Sequence, residues 1–478
     1  MMADKFKKER QFKTSWHHRK PAYWLQRDRE RPAGFRESPE VVRFDVEPGV
    51  EPSGKPPVRI FLGTEPHQYR AERVFIWAIR QVRDSARVYE IYMMKDLAGF
   101  SRAGWKTGFT NYRYAIPTLA GGEGRAIFND VDQIYLADPA EMFDMDMNGA
   151  GILGITERET SVLLIDCAKM INFWSIEDAK TGKRHRHFRD ITHSNNLWGR
   201  LPGEWNARDE EYRAGQSKCF HFTTLQTQPW QPFPKQLRYT PHPNGEVWFA
   251  LERAADKARF TPFTREQPSR RFSEMFGQSR RIHNSGEAQL GSTAEETFNS
   301  DMLRKYDDDI AKLIDQTGAK RLLDYGSGKR ASYQPFPGEP ADGRIKADPA
   351  WPGINVTCFD PRFGPYPEPY EDKFDGVISI DVLEHISDDD VGWVLDEMFA
   401  SADKFVYAVA TCDPVPEVLP DGENTRCTLQ TPEWWKLQME MAARRNSGLR
   451  WVFCAVEKRG MGKKHHIYSG ACNLGEAA

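Results

Sequence analysis

The stretch GRAIFNDVDQIYL, residues 124–136, decides the fold of the first half of this chain. Its apolar run, residues 126–128, is typical of a strand that is buried on both faces of a parallel sheet. Asp130 and Asp132 follow at once, so this strand would deliver two carboxylates to the edge where it ends. Mg²⁺ and Mn²⁺ prefer oxygen ligands of this kind. The stretch therefore predicts a divalent-cation site, although an Asp-x-Asp pair is also common on surface loops.

The segments before this stretch alternate between strand and helix patterns. Residues 58–65 predict a strand that ends on Thr64 and Glu65, residues 71–82 predict a helix, and residues 88–94 predict the next strand. This order is typical of a parallel sheet, which binds its ligands at the carboxyl ends of its strands. We therefore expect Thr64 and Glu65 to lie on the same edge as the two aspartates.

Three further side chains are candidates for this site. Arg113, in a segment with a helical pattern, could reach a phosphate, or it could be an ordinary surface arginine. Asp166 ends another apolar strand, so it could orient an acceptor or support a sugar cation. His221 ends a short strand flanked by aromatic residues, where it could be a third metal ligand or a structural histidine.

The order of these pieces over residues 58 to about 250 resembles glycosyltransferase family 8 and its nucleotide-sugar relatives with the GT-A fold. The matching pieces are residues 59–63, 112–117, 124–132, 162–166, 201–206 and 221–230. The resemblance implies that Asp130, Asp132 and His221 hold Mn²⁺ or Mg²⁺, which bridges the diphosphate of a UDP-sugar. It also implies that Thr64 and Glu65 lie near the nucleotide base.

One residue departs from the pattern of this family. Gln228 stands before Pro229-Trp230, where the family usually has a lysine that neutralises the leaving diphosphate. Another cation would have to supply that charge, and Arg113 is the candidate.

A second centre follows a polar stretch, residues 251–296, that is typical of a linker or of interface helices. An amphipathic helix is predicted from residue 297, and KRLLDYGSG, residues 320–328, then predicts a strand that runs into a glycine-rich turn. Glycines at this point allow the backbone to pass close to a ligand. Residues 356–360 and 373–381 predict two more strands, and each ends on an aspartate.

From about residue 297 to residue 412 these features resemble class I S-adenosylmethionine-dependent methyltransferases. Asp324, Gly326 and Gly328 match the glycine-rich loop of that family, Asp360 matches its ribose-binding acid, and Asp381 begins its post-strand motif. The resemblance implies that these five residues bind S-adenosylmethionine. A dinucleotide-binding dehydrogenase is the alternative, but it gives no reason for the Leu-Glu-His sequence that follows.

His385 is the candidate general base for methyl transfer, and Glu384 could orient it or help to hold a metal. The alternative is that His385 caps a helix and packs beside the cofactor. Arg330 departs from the family pattern, because a third glycine is common at its position.

Composition limits the remaining possibilities. The formal net charge is −3, yet residues 1–36 carry eleven Lys or Arg against four Asp or Glu, which indicates a solvated tail or an arm for an anionic surface. Seven cysteines without CxxC spacing argue against a disulfide framework and favour a reducing, cytoplasmic setting. We expect no transmembrane segment, since no apolar run reaches about 18 residues, and no secretory signal.

The sequence thus predicts an α/β protein of two domains: a GT-A-like nucleotide-sugar-binding, Rossmann-type sheet, then a class I methyltransferase Rossmann-like sheet. We place a basic arm and linker at 1–57, the glycosyltransferase domain at 58–250, a linker at 251–296 and the methyltransferase domain at 297–478. The expected activity is glycosyl transfer together with O-methylation of a glycan or small-molecule acceptor. The alternatives are a nucleic-acid-modifying enzyme that uses the basic arm, and a methyltransferase with a degenerate glycosyltransferase-like binding module.

Overall fold

The computed structural model describes residues 36–101, 107–285, 302–328, 344–345, 351–362, 373–415, 424–446, 449–460 and 462–471. The predicted basic arm up to residue 35, the last part of the predicted linker and Arg330 lie outside these residues. The described chain is mixed α/β, with two seven-stranded sheets and a small three-stranded one. No helix within these ranges combines the length and the apolar character needed to cross a membrane.

The strands are β1 (Glu40–Phe44), β2 (Val58–Gly63), β3 (Tyr89–Met94), β4 (Arg125–Asp130), β5 (Gln133–Tyr135), β6 (Ile152–Thr156), β7 (Glu159–Asp166), β8 (Trp198–Arg200), β9 (Ala207–Arg208), β10 (Cys219–His221), β11 (Arg321–Tyr325), β12 (Arg344–Ile345), β13 (Asn355–Phe359), β14 (Phe374–Ile380), β15 (Ala402–Thr411), β16 (Arg450–Arg459) and β17 (Gly462–Ala471).

The α-helices are α1 (Tyr69–Val82), α2 (Ile116–Leu119), α3 (Pro139–Phe143), α4 (Cys167–Met170), α5 (Ile176–Lys180), α6 (His185–Ser194), α7 (Gly245–Lys257), α8 (Arg270–Ser285), α9 (Asp307–Thr317), α10 (Val391–Ser401) and α11 (Pro432–Arg445).

The first sheet has the order β1-β3-β2-β4-β7-β6-β8. Strands β3, β2 and β4 run parallel, as the alternation of strand and helix predicts, and Ile91, Ile60 and Ile127 at their centres are fully buried. β1 lies within the predicted linker 1–57 and pairs antiparallel with β3. Its alternating burial, with Val42 inside, is the period-two pattern of an edge strand, so this part of the chain is not a linker.

The small sheet has the order β5-β10-β9 and lies beside the predicted cation site at the end of β4. β10 pairs antiparallel with β5, which places His221 opposite Gln133. Because β5 follows the aspartates by a single turn, this pairing brings a residue almost ninety positions away next to Asp132.

The second sheet has the order β12-β13-β11-β14-β15-β16-β17. The five strands from β13 to β16 in this order are parallel to one another, and β17 returns antiparallel to β16 as the outer strand of a hairpin. The carboxyl ends of β11, β13 and β14 therefore meet at one edge, where the predicted cofactor-binding residues follow.

The predicted linker 251–296 is largely structured where it is described. It holds the end of α7 and the whole of α8. Glu252 on α7 pairs with Arg70 and Arg444, and Phe272 on α8 packs against Trp393. The backbone N–H of Ser269 donates to Asp390 (3.0 Å), and that of Arg270 donates to Glu40 (2.8 Å). Its residues therefore hold the two halves together, which composition alone did not reveal.

A buried charged cluster lies where the two halves meet. Arg36 donates to Asp388 (2.6 Å) and to Asp389, and Lys95 donates to Asp389 (2.7 Å) and lies 3.4 Å from Glu72. All five side chains are buried. Burial of charges is costly unless they are paired, so these groups stabilise the interface only as a complete set.

Candidate active sites at the carboxyl edges of the two sheets

The carboxyl ends of β2 and β4 are adjacent. Gly63 is the register partner of Asp130, and the N–H of Val131 donates to the carbonyl of Gly63 (3.1 Å). The residues that follow these strands, Thr64 on one and the two aspartates on the other, therefore share one edge of the sheet.

Asp130 faces a cation from the chain itself. Arg113 Nη2 donates to Asp130 Oδ1 (2.9 Å), while Arg113 also donates to the carbonyls of Thr110 and Thr160 and lies 4.4 Å above the ring of Phe128. Burial raises the pKa of Asp130 to about 7, since it outweighs the opposing effect of Arg113. The guanidinium is thus held firmly against a carboxylate that is costly to ionise.

Asp132 and His221 form the second pair of this edge. His221 Nε2 lies 3.1 Å from Asp132 Oδ1, and His221 Nδ1 donates to Asn206 Oδ1 (2.8 Å). Gln133 Nε2 donates to the same Asn206 oxygen (3.1 Å). Since an oxygen acceptor fixes the proton on Nδ1, a neutral imidazole would point the lone pair of Nε2 at the carboxylate.

The carboxylates around His221 favour a cation between Asp132 and His221. Burial alone would lower the pKa of His221, but Asp132, followed by Asp130 and Glu159, raises it above its usual value. A proton on Nε2 and a metal ion would compete for the same two atoms.

Two of the three predicted metal ligands, Asp132 and His221, are in place to bind a cation. Apart from the imidazole nitrogen beside it, the buried Asp132 Oδ1 has no hydrogen-bond partner among the described residues, so both atoms suit a divalent cation. Within the ranges that the structure describes, however, no group of three or more His, Cys, Asp or Glu side chains is arranged to hold a metal. Asp130 would have to exchange Arg113 for the ion before it could join the other two.

Thr64 and Glu65 lie at this edge, but their side chains already have partners. Thr64 Oγ1 donates to Glu72 (3.0 Å) in the buried charged cluster. Glu65 accepts from the N–H of Gly108 and pairs with His67 (3.1 Å). Contact of either side chain with a nucleotide therefore stays a prediction.

Gln228 lies at the Asp132–His221 pair. Its Nε2 donates to Asp132 Oδ2 (3.3 Å) and to the carbonyl of Phe222 (3.0 Å), and its buried Oε1 has no hydrogen-bond partner among the described residues. A neutral amide thus occupies the position at which the resembled family has a lysine, and it stabilises the Asp132 carboxylate without adding a charge.

Asp166 does not belong to this edge. β7 runs antiparallel to β4 and pairs Asp166 with Arg125, at the amino end of β4. Five residues of β4 separate it from Asp130, which is roughly 17 Å along a strand. Asp166 instead caps α4, where it accepts from the N–H of Lys169 (3.0 Å). The apolar run of β7 carried no information on its direction, and the expectation for Asp166 was wrong for that reason.

The other end of β7 supplies a carboxylate that the sequence analysis missed. Glu159 accepts from Ser161 Oγ (2.6 Å), and Asn206 donates to the same hydroxyl (3.3 Å). Glu159 is close enough to raise the pKa of both Asp130 and His221. An apolar strand whose first residue is acidic was the available signal, and it is a weak one.

The second edge holds the glycine-rich turn. Gly326 has a φ of +84°, its N–H donates to the carbonyl of Phe359 (2.7 Å), and a Cβ there would lie 2.5 Å from both methyl groups of Val382. Gly328 donates its N–H to Asp360 Oδ2 (3.2 Å). Only glycine fits this close passage of the backbone.

The predicted acidic residues of this edge have different surroundings. Asp324 is buried near the end of β11. Asp360 is fully buried and also accepts from the N–H of Arg362 (2.9 Å), so it orders the glycine-rich turn directly. Asp381, in the left-handed region with a φ of +54°, accepts from Thr411 Oγ1 (3.1 Å).

His385 and Glu384 occupy a short 3₁₀ turn after β14. His385 Nδ1 donates to the carbonyl of Thr425 (2.6 Å), which assigns the proton to Nδ1 and the lone pair to Nε2. Glu384 is completely buried and accepts from the N–H of Thr411 (2.9 Å). Burial, followed by the charge of Asp381, raises the pKa of Glu384 to about 8.

Two hydroxyl groups at the second edge are buried without a hydrogen-bond partner among the described residues, those of Ser327, inside the glycine-rich turn, and of Tyr306. Burial, followed by nearby charges that include Asp381 and Glu384, raises the pKa of Tyr306. Buried hydroxyl groups normally have partners, so these two are available to a ligand. Tyr306 was missed because it reads simply as part of an amphipathic helix.

Comparison with known proteins leaves the family open. No protein-family model matches the chain, and no curated protein matches it in sequence. Among the solved structures that match in part, the bifunctional glycosyltransferase WbbM is 12% identical, with 42% of this chain and 53% of that chain covered and a TM-score of 0.30. The galactosyltransferase LgtC, in complex with donor and acceptor sugar analogues, is 11% identical, with 41% of this chain and 95% of that chain covered and a TM-score of 0.29. The glycosyltransferase GlyE of Streptococcus pneumoniae is 13% identical, with 74% of this chain and 91% of that chain covered and a TM-score of 0.31. At such TM-scores the likeness carries no weight, so function has to be argued from the residues themselves.

Proposed function

We propose that this chain is a bifunctional transferase. Its first edge would carry out metal-dependent glycosyl transfer from a nucleotide-sugar, with a UDP-sugar as the expected donor. Its second edge would carry out S-adenosylmethionine-dependent methyl transfer, with O-methylation of a glycan or related acceptor as the expected reaction. The observation that supports this most is the Asp132–His221 pair, in which a buried carboxylate oxygen lies 3.1 Å from an imidazole nitrogen and has no other partner among the described residues.

Glycosyl transfer requires stabilisation of the negative charge that develops on the leaving diphosphate. A bound divalent cation supplies this as a Lewis acid. Asp132 and His221 would hold it, and Asn206 fixes the ring orientation that points Nε2 toward it. Arg113, which pairs with the neighbouring Asp130, is the cation we expect to act where the family uses a lysine.

Methyl transfer requires an acceptor oxygen placed in line with the methyl group and a base for its proton. S-adenosylmethionine supplies the methyl group. Gly326 and Gly328 would let the backbone pass under the cofactor, and Asp360 holds the turn that they form. His385 would accept the proton at Nε2, because its Nδ1 already donates to a backbone carbonyl.

The first activity is tested by donor hydrolysis. Purified full-length protein is incubated with a panel of nucleotide-sugars and Mn²⁺, with and without a chelator, beside Asp132→Ala and the control Asp146→Ala, which removes an exposed carboxylate of the same domain. We expect metal-dependent release of the nucleotide that only Asp132→Ala abolishes. No release from any donor, with S-adenosylmethionine still bound in calorimetry, would favour a methyltransferase with a degenerate binding module.

The second activity is tested with labelled S-adenosylmethionine and the products of the first reaction. We expect label to enter a glycosylated product and Gly326→Ala to weaken cofactor binding. A methyl acceptor that chromatography separates from every glycosylated product would contradict the coupling of the two reactions.

A further inference from the structure

The hairpin of β16 and β17 extends beyond the edge of the second sheet. Thr411, the last residue of β15, pairs with Val456, whereas β16 continues through residues 457–459 and β17 returns from residue 462. Three residues of strand span roughly 10 Å. Because β16 is parallel to β15, this hairpin tip projects past the same carboxyl edge that carries the proposed methyltransferase site.

The hairpin tip is strongly basic and exposed. Lys458, Arg459, Lys463 and Lys464 are all exposed, and Glu457, its one acidic residue, already pairs with Arg459 at 3.1 Å and with a histidine. Over the part of the chain that the structure describes, none of the three lysine ammonium groups pairs with a carboxylate.

Two of these lysines face each other. Lys458 and Lys463 are register partners in the antiparallel hairpin, so their side chains leave the same face at neighbouring positions. Like charges directly opposite each other destabilise a strand pair. A hairpin that needed only stability would gain from a carboxylate at either position, so the arrangement indicates that the pair binds an anion from outside.

The hairpin tip is connected to the candidate site by short contacts. The backbone N–H of Lys458 donates to Asp413, two residues after Thr411, and Thr411 Oγ1 donates to Asp381. Two strand spacings and three residues of rise place the Cα atoms of Lys458 and Asp381 roughly 14 Å apart. This is the reach of an acceptor that spans two or three sugar units rather than that of the cofactor itself.

We propose that the hairpin tip binds the methyl acceptor, and that this acceptor is a glycan with phosphate or carboxylate groups. The inference rests on the proposed methyl transfer and adds the charge of its substrate. An exposed ammonium pair binds a single anionic group as a point charge. Long nucleic acids fit less well, because Glu457 and Asp413 border the tip and the whole chain has a formal net charge of −3.

The test is direct binding of labelled probes to the full chain. The probes are a phosphorylated maltohexaose, a hyaluronan hexasaccharide, neutral maltohexaose and a 20-base-pair DNA duplex, measured by fluorescence anisotropy between 50 and 200 mM salt. The variant Lys458→Thr/Lys463→Thr keeps strand-forming residues and removes a repulsion, so it should fold. Lys312→Thr, at an exposed lysine on α9, is the matched control.

We expect both anionic oligosaccharides to bind more tightly than neutral maltohexaose. The double variant should weaken their binding about five- to tenfold and lower the salt slope by about one or two, whereas Lys312→Thr should bind like the unmodified chain. Unchanged binding by the double variant would overturn the proposal. So would a DNA duplex that binds more tightly than both oligosaccharides and depends on the same lysines.

Calorimetry with S-adenosylmethionine separates this proposal from the proposed function. If the chain binds the cofactor but no anionic oligosaccharide, the inference about the hairpin tip fails and methyl transfer stands. If the oligosaccharides bind through the lysine pair and the cofactor does not bind, methyl transfer fails and the tip stays an anion-binding surface.

Discussion

Replacing Gly326 with alanine should destabilise the second half of the chain by an amount that the structure allows us to work out. Its φ of +84° costs a residue with a side chain about 1–2 kcal/mol. The new Cβ would also lie 2.5 Å from both methyl groups of Val382 and 3.0 Å from its Cβ. Rotation of the valine offers no escape from contacts on both branches, and overpacking of this kind costs about 1–3 kcal/mol. The expected loss is therefore about 3 kcal/mol in total.

A matched glycine separates the two contributions. Gly318 also has a positive φ, +60°, but a Cβ there would meet nothing within 4 Å. Gly318→Ala should therefore cost only about 1 kcal/mol, through the backbone alone. Urea denaturation of the two variants, followed by fluorescence and compared at equal slope, measures the difference.

A double-mutant cycle tests the clash itself. Val382→Ala removes both methyl groups, so the pair Gly326→Ala/Val382→Ala should be more stable than the sum of the single changes predicts, with a coupling energy of about 1–3 kcal/mol. A coupling energy near zero, or a loss at Gly326 no larger than that at Gly318, would refute the reasoning. Calorimetry on the same variants shows whether the displaced turn also weakens S-adenosylmethionine binding.

Three further perturbations follow from the contacts described above. Burial raises the pKa of Glu384 to about 8, against 4.5 in the unfolded chain, so the folded state keeps a proton between these two pH values and loses stability as the pH rises through them. Glu384→Gln, which mimics the protonated acid, should therefore be as stable as the unmodified chain near pH 5 and more stable at pH 9, measured as the midpoint of urea denaturation. Asn206→Ala frees the ring of His221, so it should weaken Mn²⁺ binding about 10- to 100-fold in a metal titration of the nucleotide-bound protein, and unchanged affinity would contradict the role of Asn206. Arg36→Met leaves buried carboxylates without their cation and should cost about 3–5 kcal/mol in urea denaturation, whereas Arg43→Met, at an exposed ion pair, should cost less than about 1 kcal/mol.

The sequence was informative wherever a periodic pattern ended on a polar residue. It placed the end of β4 at the aspartates, the strand before the glycine-rich turn, and the helix over residues 71–82, which the structure extends to 69–82. These elements follow from local physics, because an apolar run needs a buried position and a glycine pair permits a sharp turn. The approach of Thr64 to Asp130 followed from the same rules.

The contacts that depend on strand direction and on the interface could not be predicted in this way. Asp166 has the same local pattern whether β7 runs parallel or antiparallel to β4, and only the register shows that it lies at the far edge. Asn206 and Tyr306 reach their sites through tertiary packing, which the local sequence around them does not reveal. Whether Asp130, Asp132 and His221 bind a metal together stays a prediction, because Arg113 occupies Asp130 in this structure.

The charged cluster of Arg36, Glu72, Lys95, Asp388 and Asp389 bears on the way this protein can evolve. Arg36 and Lys95 of the first half pair with Asp388 and Asp389 of the second. Separation of the two halves would leave these charged groups exposed or unpaired. Neither half could therefore be exchanged for a homologous domain without matching substitutions on both sides. The two halves are therefore expected to be inherited as a single gene, and recombination at their boundary should be selected against even where each candidate site remains intact.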